Sequence, residues 1–344
     1  MTRPNDRVLM KHGAGGRAMR ALVEEVFVRD AVDGLPAGAI GLSAMDDGAA
    51  IPIGDGRWLV VTTDSHVISP IFFPGGDIGR LAVSGTVNDL AMMGATKVLA
   101  LTCAVILEEG FSWADLERVQ ASIRATCEEA GAPIVTGDTK VMGRGEIDGI
   151  VLNTTGVAIT ERVVRDSGLR PGDRIVVTGT VGDHGMAVLA TRHALGLEGN
   201  LRSDVAPIGS LVARVLERHD GAVTALKDPT RGGLASALSE MAHKSKVGVL
   251  LDQSALPITE EVRAAAELLG IDPLVVANEG KAVMGVRAED ADAVVATLRQ
   301  HPLGRGAAIV GTCTSERAGS LVLDTGFGRR LVAEPEGEPL PRIC

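Results

Sequence analysis

The chain has 344 residues, enough for two domains with their own cores, and its 45% hydrophobic and 23% charged residues are an ordinary globular balance. Aromatics make up only 2%, with no tyrosine, which removes the stacking platforms that single-stranded nucleic acid needs. A formal charge of -10 disfavours a polyanionic partner but leaves room for a small anion carried with a metal. No apolar run reaches the length of a bilayer span, and the opening MTRPNDRVLMKHGAGG lacks the apolar core of a secretion signal. Cysteines 103, 127, 313 and 344 form no CxxC pair, so neither a zinc site nor a disulfide framework is indicated, and a reduced cytoplasmic setting is expected.

Along the chain, HGAGGR comes first; it lacks the GxxxxGK[ST] spacing of a phosphate-binding P-loop and by itself reads as turns. RWLVVTTD is a β-branched run, predicted as a strand that delivers Asp64 at its end. SWADLERVQASIRATCEEAG reads as a helix capped by Ser112, with Asp115 three residues on and Gly131 as its stop. Leu116, Val119, Ile123 and Cys127 fall on one face, which predicts a buried Cys127 thiol. APIVTGDTKV predicts a short strand opening into a glycine-containing loop that carries Asp138 and Lys140. Turn residues cluster in ERVVRDSGLRPGD, a predicted boundary before the strand RIVVTG. GTVGDHG has the wrong glycine spacing for a dinucleotide fingerprint, and GGLASALSEMAHK reads as a helix. Cys103 and Cys313 follow strand-like runs and are expected to pack rather than react. Beyond Val332 the pattern ends, and prolines 335, 339 and 341 discourage helix and sheet, so the last eleven residues read as a flexible or extended tail spanning about 35 Å.

The chemistry lies in an ordered set of aspartates. MDDGAAI, TTDSHV, VNDLAMMGA, TGDTKV and KDPTRGGLA each place one beside small residues near an element's end. Singly, each is as readily a turn or a helix start. Together, carboxylates from separate segments can hold Mg²⁺ against nucleotide phosphates, while glycines let backbone N–H groups approach.

Across HGAGG, TTDSHVISPIFFPGGDIGRLAVSGTVNDLAMMGA, GDTKV, GDHGMA, DPTRGGLA, NEGK and the terminal PRIC, the chain resembles the ATP-using enzymes typified by aminoimidazole ribonucleotide synthetase. Thiamine-monophosphate kinase and selenide water dikinase share that family; within it the likeness is to the HypE hydrogenase maturation factors. The resemblance implies an α/β fold of α+β layers, the two-domain PurM-like (AIR synthetase-like) fold. Residues 1–36 would form a glycine-rich segment and helix, 37–165 an ATP-binding and dimerisation domain, 166–333 a second α/β domain, and 334–344 the flexible tail. It implies a homodimer with ATP near the interface. Cys344 would receive a carbamoyl group from a HypF-like carbamoyltransferase, ATP would drive its dehydration to an S-cyanate, and the cyanide would pass to iron on a HypC/HypD-like scaffold complex for a [NiFe] hydrogenase.

For nucleotide binding the resemblance points to Lys11, Gly13, Gly15, Gly16, Asp46, Asp47, Asp64, Asn88, Asp89, Asp138, Thr139 and Asp228. Asp46, Asp64, Asp89 and Asp228 are the expected Mg²⁺ ligands, with Asp47 as a substitute for Asp46 and Asp138 a weaker candidate. Lys140 and Glu279 would meet near the tail tip, a neighbouring cation keeping Glu279 ionised for proton removal. An ordinary salt bridge is the plainer account of that pair. His66 and His184 stand beside motif residues, either touching phosphate or simply hydrogen-bonding. An unperturbed thiol is only a few per cent thiolate at neutral pH, so Cys344 suits a carrier loaded by a partner better than a pre-activated nucleophile. An ATP-dependent kinase or ligase for a small oxygen nucleophile would keep the aspartates without needing Cys344, and a scaffold with a docking tail would need neither. The sequence leaves open whether the tail enters its own subunit's cleft, which charged residue is the base, and how many metals bind.

Overall fold

The computed structural model describes residues 7–31, 34–195, 199–336 and 342–344. The helix Gly16–Leu22 (α1) runs on into a wider π-type turn, Val23–Val28. Ala49–Gly54 (β1) and Arg57–His66 (β2) form a hairpin closed by Asp55 and Gly56, both at positive φ as a tight two-residue turn requires. A small ladder, Phe72–Phe73 (β3) with Gly76–Asp77 (β4), leads into the helix Ile78–Met92 (α2), where the Asp77 side chain accepts from the N–H groups of Gly79 and Arg80. Val98–Glu108 (β5), Trp113–Ala130 (α3), Ile134–Met142 (β6) and Ile150–Thr160 (β7) complete the first half.

Among the described residues, these strands make a five-stranded sheet in the order β1-β2-β7-β5-β6. On β2 and β7 the residues alternate: Val60, Thr62 and His66, and Ile150, Leu152, Thr154 and Ala158, are buried on one face. Helix α2 lies on that face and α3 packs against α2. Ser112 caps α3 and Gly131 ends it in the left-handed region; Val119 and Ile123 are buried, with Leu116 and Cys127 packed beside them. Burial pushes the Cys127 thiol up to about 11. The expected loop at Asp138–Lys140 is instead the middle of β6, because parallel pairing to β5 continues from Leu101↔Ile134 to Glu108↔Met142.

The second half contains Arg174–Val177 (β8), Asp183–Arg192 (α4), Gly209–Arg218 (α5), Val223–Lys227 (β9), Gly233–Ser245 (α6), Gly248–Asp252 (β10), Glu260–Leu269 (α7), Val283–Val286 (β11), Ala291–Arg299 (α8), Ala308–Thr314 (β12), Leu321–Asp324 (β13) and Arg329–Val332 (β14). Its seven-stranded sheet runs β14-β13-β10-β12-β8-β11-β9, with α6 on one face and α5 and α8 on the other. Cys103 and Cys313 are buried strand residues, and burial pushes Cys313 up to about 12.

One apolar core joins the halves. Ile78, Leu81 and Phe73 pack in the same cluster as Met186 and Leu189 of α4, Val262 and Ala265 of α7, and Ile343 of the tail. The cleft between the sheets is therefore walled by both halves. Prolines 339 and 341 of the expected tail lie outside the described residues. The flanking pieces are anchored: Arg17 and Ala18 donate N–H bonds to the carbonyls of Pro335 and Glu336, and residues 342–344 enter the cleft.

Candidate active site

Residues from β2, α2, the β9–α6 connection, the N-terminal glycines and the tail enclose a cleft of about 540 Å³, within the range of small-molecule sites. The N-terminal segment passes close to the β9–α6 connection at Gly15, which has φ +78 and would place a Cβ 2.8 Å from the Arg231 Cβ and 2.9 Å from its carbonyl oxygen. Only glycine fits there.

Asp46 and Asp47 precede β1 and take different partners. Asp46 is 1% exposed at its side chain, receives the Arg165 Nε at 2.8 Å and faces Asp166. Burial alone would raise the Asp46 carboxyl, but Asp166, Arg165 and Lys244 together hold it below its ordinary value. Asp166 goes the other way: burial and Asp46 push it up to about 8, against the pull of Lys227 and Lys244. Lys244 bridges Asp166 Oδ2 and the Met45 carbonyl, both at 2.5 Å. Asp46 is thus paired with Arg165 and Asp166, while its Oδ1 is buried without a hydrogen-bond partner and the residue lines the cleft. Asp47 pairs with Lys227 Nζ at 2.6 Å, and Lys227 also stands 3.5 Å from Glu240.

Asp64, Asp89 and Asp228 converge from β2, α2 and the end of β9. Asp89 accepts from Thr62 Oγ1 at 2.9 Å, and its carboxyl is raised well above the usual range by burial, then by Asp228, Asp64 and Asp47. Burial and Asp47 push Asp228 up to about 7. Glu279, 4% exposed, is raised well above its ordinary value by burial, with Asp228, Asp64 and Asp204 adding; Arg231 only partly opposes them. The cation beside Glu279 is Arg231, and burial with the surrounding carboxylates outweighs it. Arg231 is held protonated first by the charge of Cys344, then, against burial, by Asp64, Glu279 and Asp89.

These mutually repelling oxygens test the site for a cation. Among the described residues no three acidic, histidine or cysteine side chains form a group able to hold a metal by themselves. Mg²⁺ needs no such cage, since it binds one or two carboxylates and completes its shell with phosphate oxygens and water. Hard carboxylate oxygens drawn together in this way fit that role, with Asp64, Asp89 and Asp228 as the residues placed for it.

The tail reaches this cleft within its own chain. Ile343 is 1% exposed, Val67 donates its N–H to the Cys344 oxygen at 3.2 Å, and Cys344 lines the cleft with Arg231 and Glu279. His184, expected either at phosphate or in plain hydrogen bonding, bonds Ile343 O. His66 is buried 3.5 Å from Asp64 Oδ2; burial, outweighing Asp64, lowers its proton affinity.

Several expected residues stand elsewhere. Lys11 and Gly13 sit in an exposed turn outside the cleft, while Gly15 and Gly16 line it. Asn88 is a strut: its amide donates to Ala206 O and Glu279 O and accepts from the Ile208 N–H, which leaves no group for a nucleotide. Asp138, Thr139 and Lys140 lie on exposed β6, where Lys140 is 70% exposed and 3.7 Å from Asp138. Within one chain Lys140 does not meet Glu279, because β6 is the edge strand farthest across the sheet from β1.

The cations were the residues that sequence reasoning missed. Lys227 and Arg231 flank Asp228 in KDPTRGGLA, a motif already singled out, so position was the available signal. Glu240 and Lys244 sit four apart on α6, a spacing that reads as a solvated surface pair.

The model of the AIR synthase related protein N-terminal domain matches residues 45–160, and that of its C-terminal domain matches 170–324. The carbamoyl dehydratase HypE of Cupriavidus necator is 48% identical over 98% of this chain and 95% of its own length. A solved HypE–HypF complex contains a chain with TM-score 0.84 and 40% identity, covering 92% of this chain and 100% of that one. A hydrogenase maturation protein HypE solved in complex with ATP has TM-score 0.80 and 41% identity, covering 98% and 100%.

Proposed function

This chain belongs to the AIR synthase-related family and, within it, to the HypE carbamoyl dehydratases, and from that premise we propose that it uses ATP to dehydrate an S-carbamoyl group on Cys344 to an S-cyanate for the iron of a [NiFe] hydrogenase. The observation that carries this reading is Cys344 seated in the same cleft as the acidic cluster, Arg231 and Glu279.

The reaction divides into two steps. The carbamoyl oxygen attacks the γ-phosphorus of ATP, ADP leaves and one N–H proton is lost, giving an O-phosphorylated imidate. Its C–O bond then breaks, phosphate departs with the bonding pair, and loss of the second N–H proton completes the nitrile. The first step needs positioning and charge neutralisation above all. Arg231 supplies a half-buried positive charge beside Cys344, and Lys227 supplies one at the Asp47 side of the cleft. Mg²⁺, when bound at Asp64, Asp89 and Asp228, would neutralise phosphate charge and the carboxylates together. Glu279, beside Cys344 in the cleft, is the proposed proton acceptor; the metal would ease the part of its upward shift that comes from Asp228 and Asp64, with burial still the larger part.

The homodimer is part of the proposal. The face of the five-stranded sheet opposite α2 carries Val61, Ile106, Val151, Val157 and Ile159, none of them buried by this chain, and the register with β5 sets Thr136, Asp138 and Lys140 of β6 on that same face. A second copy laid on that face would cover it and could bring Lys140 of one subunit to Glu279 of the other. A HypF-type carbamoyltransferase is the proposed donor and a HypC/HypD-type scaffold the proposed acceptor. Among the described residues no helix is long and apolar enough to cross a membrane, and the four free thiols suit a reducing cytoplasm.

The test is mass spectrometry of the C-terminal peptide after incubation with a HypF-type transferase, carbamoyl phosphate and Mg-ATP. A carbamoyl adduct on Cys344 that loses one water only with hydrolysable ATP is the expected result. An unmodified Cys344, with the transferase active on a control acceptor, overturns the reading.

A further inference from the structure

Motif GDHGMA has no part in the chemistry above, yet two residues of its helix touch the tail. His184 is fully buried; its Nδ1 lies 2.8 Å from Ser203 Oγ and its Nε2 lies 2.7 Å from the Ile343 carbonyl. Ser203 Oγ accepts from the Val205 N–H, so its own hydrogen is available for His184 Nδ1. That fixes the neutral tautomer with Nε2–H aimed at Ile343, and burial, which lowers the imidazole's proton affinity, agrees with it. At the far end of α4, Arg192 Nη2 donates at 2.7 Å to both Ser69 O and Arg342 O. The Ser69 N–H reaches Arg342 O at 3.3 Å and the Val67 N–H reaches Cys344 O at 3.2 Å, two residues apart on each side, as in a short added strand. The Ile343 side chain enters the apolar core with Met186 and Val276. Gly185 keeps that socket open, since a Cβ there would lie 2.4 Å from Val276 Cγ1 and 3.3 Å from Ile343 Cδ1.

We infer that His184 and Arg192 are positioning residues that grip the tail by its main chain and, with the Ile343 socket, set how deep Cys344 sits in the cleft. These contacts fall on backbone oxygens of residues 342–344. The grip is therefore indifferent to what the sulfur carries, and the thiol, its carbamoyl form and its cyanate can be held in one register. The inference deepens the dehydratase reading in its kinetic consequence, while the docking itself can be measured with no substrate present.

The experiment is amide hydrogen exchange on the full-length protein, read at Val67 and Ser69. His184→Ala, Arg192→Ala and Ile343→Ala should each speed exchange there by about tenfold or more, since each removes a contact that holds the docked segment. His184→Gln, which keeps an N–H donor, should restore part of the protection, a rescue that a merely space-filling histidine would not show. In single turnover, His184→Ala should slow water loss from carbamoylated Cys344 by about tenfold, with the ATP requirement and the loading step unchanged. Wild-type exchange rates at Val67 and Ser69 in both His184→Ala and Arg192→Ala overturn the inference. Should the α4 variants not fold, Ile343→Ala carries the same test from the tail side, and unchanged exchange there is equally fatal. Failure of the dehydratase reading would look different: no water loss from the wild type, with Val67 and Ser69 still protected.

Discussion

The two sheets treat their faces differently. The seven-stranded sheet is enclosed, with α6 on one side and α5 and α8 on the other, and β11 is buried along its whole length. The five-stranded sheet has helices on one face only, and β6 is exposed from Val135 to Met142. The site divides along the same line. The open half supplies Asp47, Asp64 and Asp89, while the enclosed half supplies Lys227, Arg231 and Lys244 together with Asp228 and Glu279. The cations of the cleft are thus held where the scaffold is closed, while strongly raised acids stand on both sides, Asp89 in the open half and Glu279 in the enclosed one. The open sheet presents its acids on one face and an uncovered surface on the other, which is the form expected of a half-built assembly.

The sharpest way to break this contrast uses two variants. Glu279→Gln and Lys140→Ala should each lower single-turnover dehydration by about 10²–10⁴-fold. If Lys140 serves the neighbouring subunit, mixing the two inactive proteins should restore about a quarter of the sites, because half the dimers are mixed and one site in each is intact. No recovery on mixing, with mixed dimers demonstrated, would place Lys140 outside the site. On the enclosed side, Lys227→Met leaves Asp47 and its neighbours without their buried cation and should cost about 3–5 kcal/mol in chemical denaturation. A loss under 1 kcal/mol would show that the enclosed half tolerates its acids unpaired.

A third measurement concerns pH. Asp228 is raised from its ordinary 3.8 to about 7, so folding favours its protonated form. That contribution is complete below about pH 4 and is lost as pH rises through about 7. The ligand-free protein should weaken over this window, while Mg-ATP, which favours the ionised carboxylate, should bind up to about tenfold more tightly per pH unit until about 7. Thermal shifts with and without Mg-ATP between pH 6 and 8 would check it, and a pH-independent gain would contradict it. The smallest effect is expected at the tail root. Arg20→Ala removes the 2.7 Å pair with Glu334 and should change stability by less than about 1 kcal/mol while speeding exchange at the Arg17 and Ala18 amides.

Much of this was legible from one chain, for local reasons. Ser112 and Gly131 bound α3 through their own capping chemistry, and β2 ends near Asp64 because its pattern is confined to a few residues. What was not legible depends on contacts distant in sequence. The strand character of Asp138–Lys140 comes from pairing with β5. Asn88 looks like a ligand in its motif, yet Ala206, Glu279 and Ile208 take its polar atoms, and the neighbours of Asp46, Arg165 and Asp166, lie far along the chain. The ionisation of Glu279 could not be read from a nearby cation, because burial was the larger influence.

The anchoring of Pro335 and Glu336 on α1 sets a length for the partner's approach. Cys344 lies eight residues beyond Glu336, so with the tail root held there a released sulfur stays within about 26 Å of it. A transferase that loads Cys344 must then bring its own catalytic centre within that radius of α1, beside the N-terminal glycines, or else first prise Arg17 and Arg20 from the tail. The same tether confines the released sulfur to a small volume around the cleft mouth, so a loaded Cys344 finds its way back at a high local concentration.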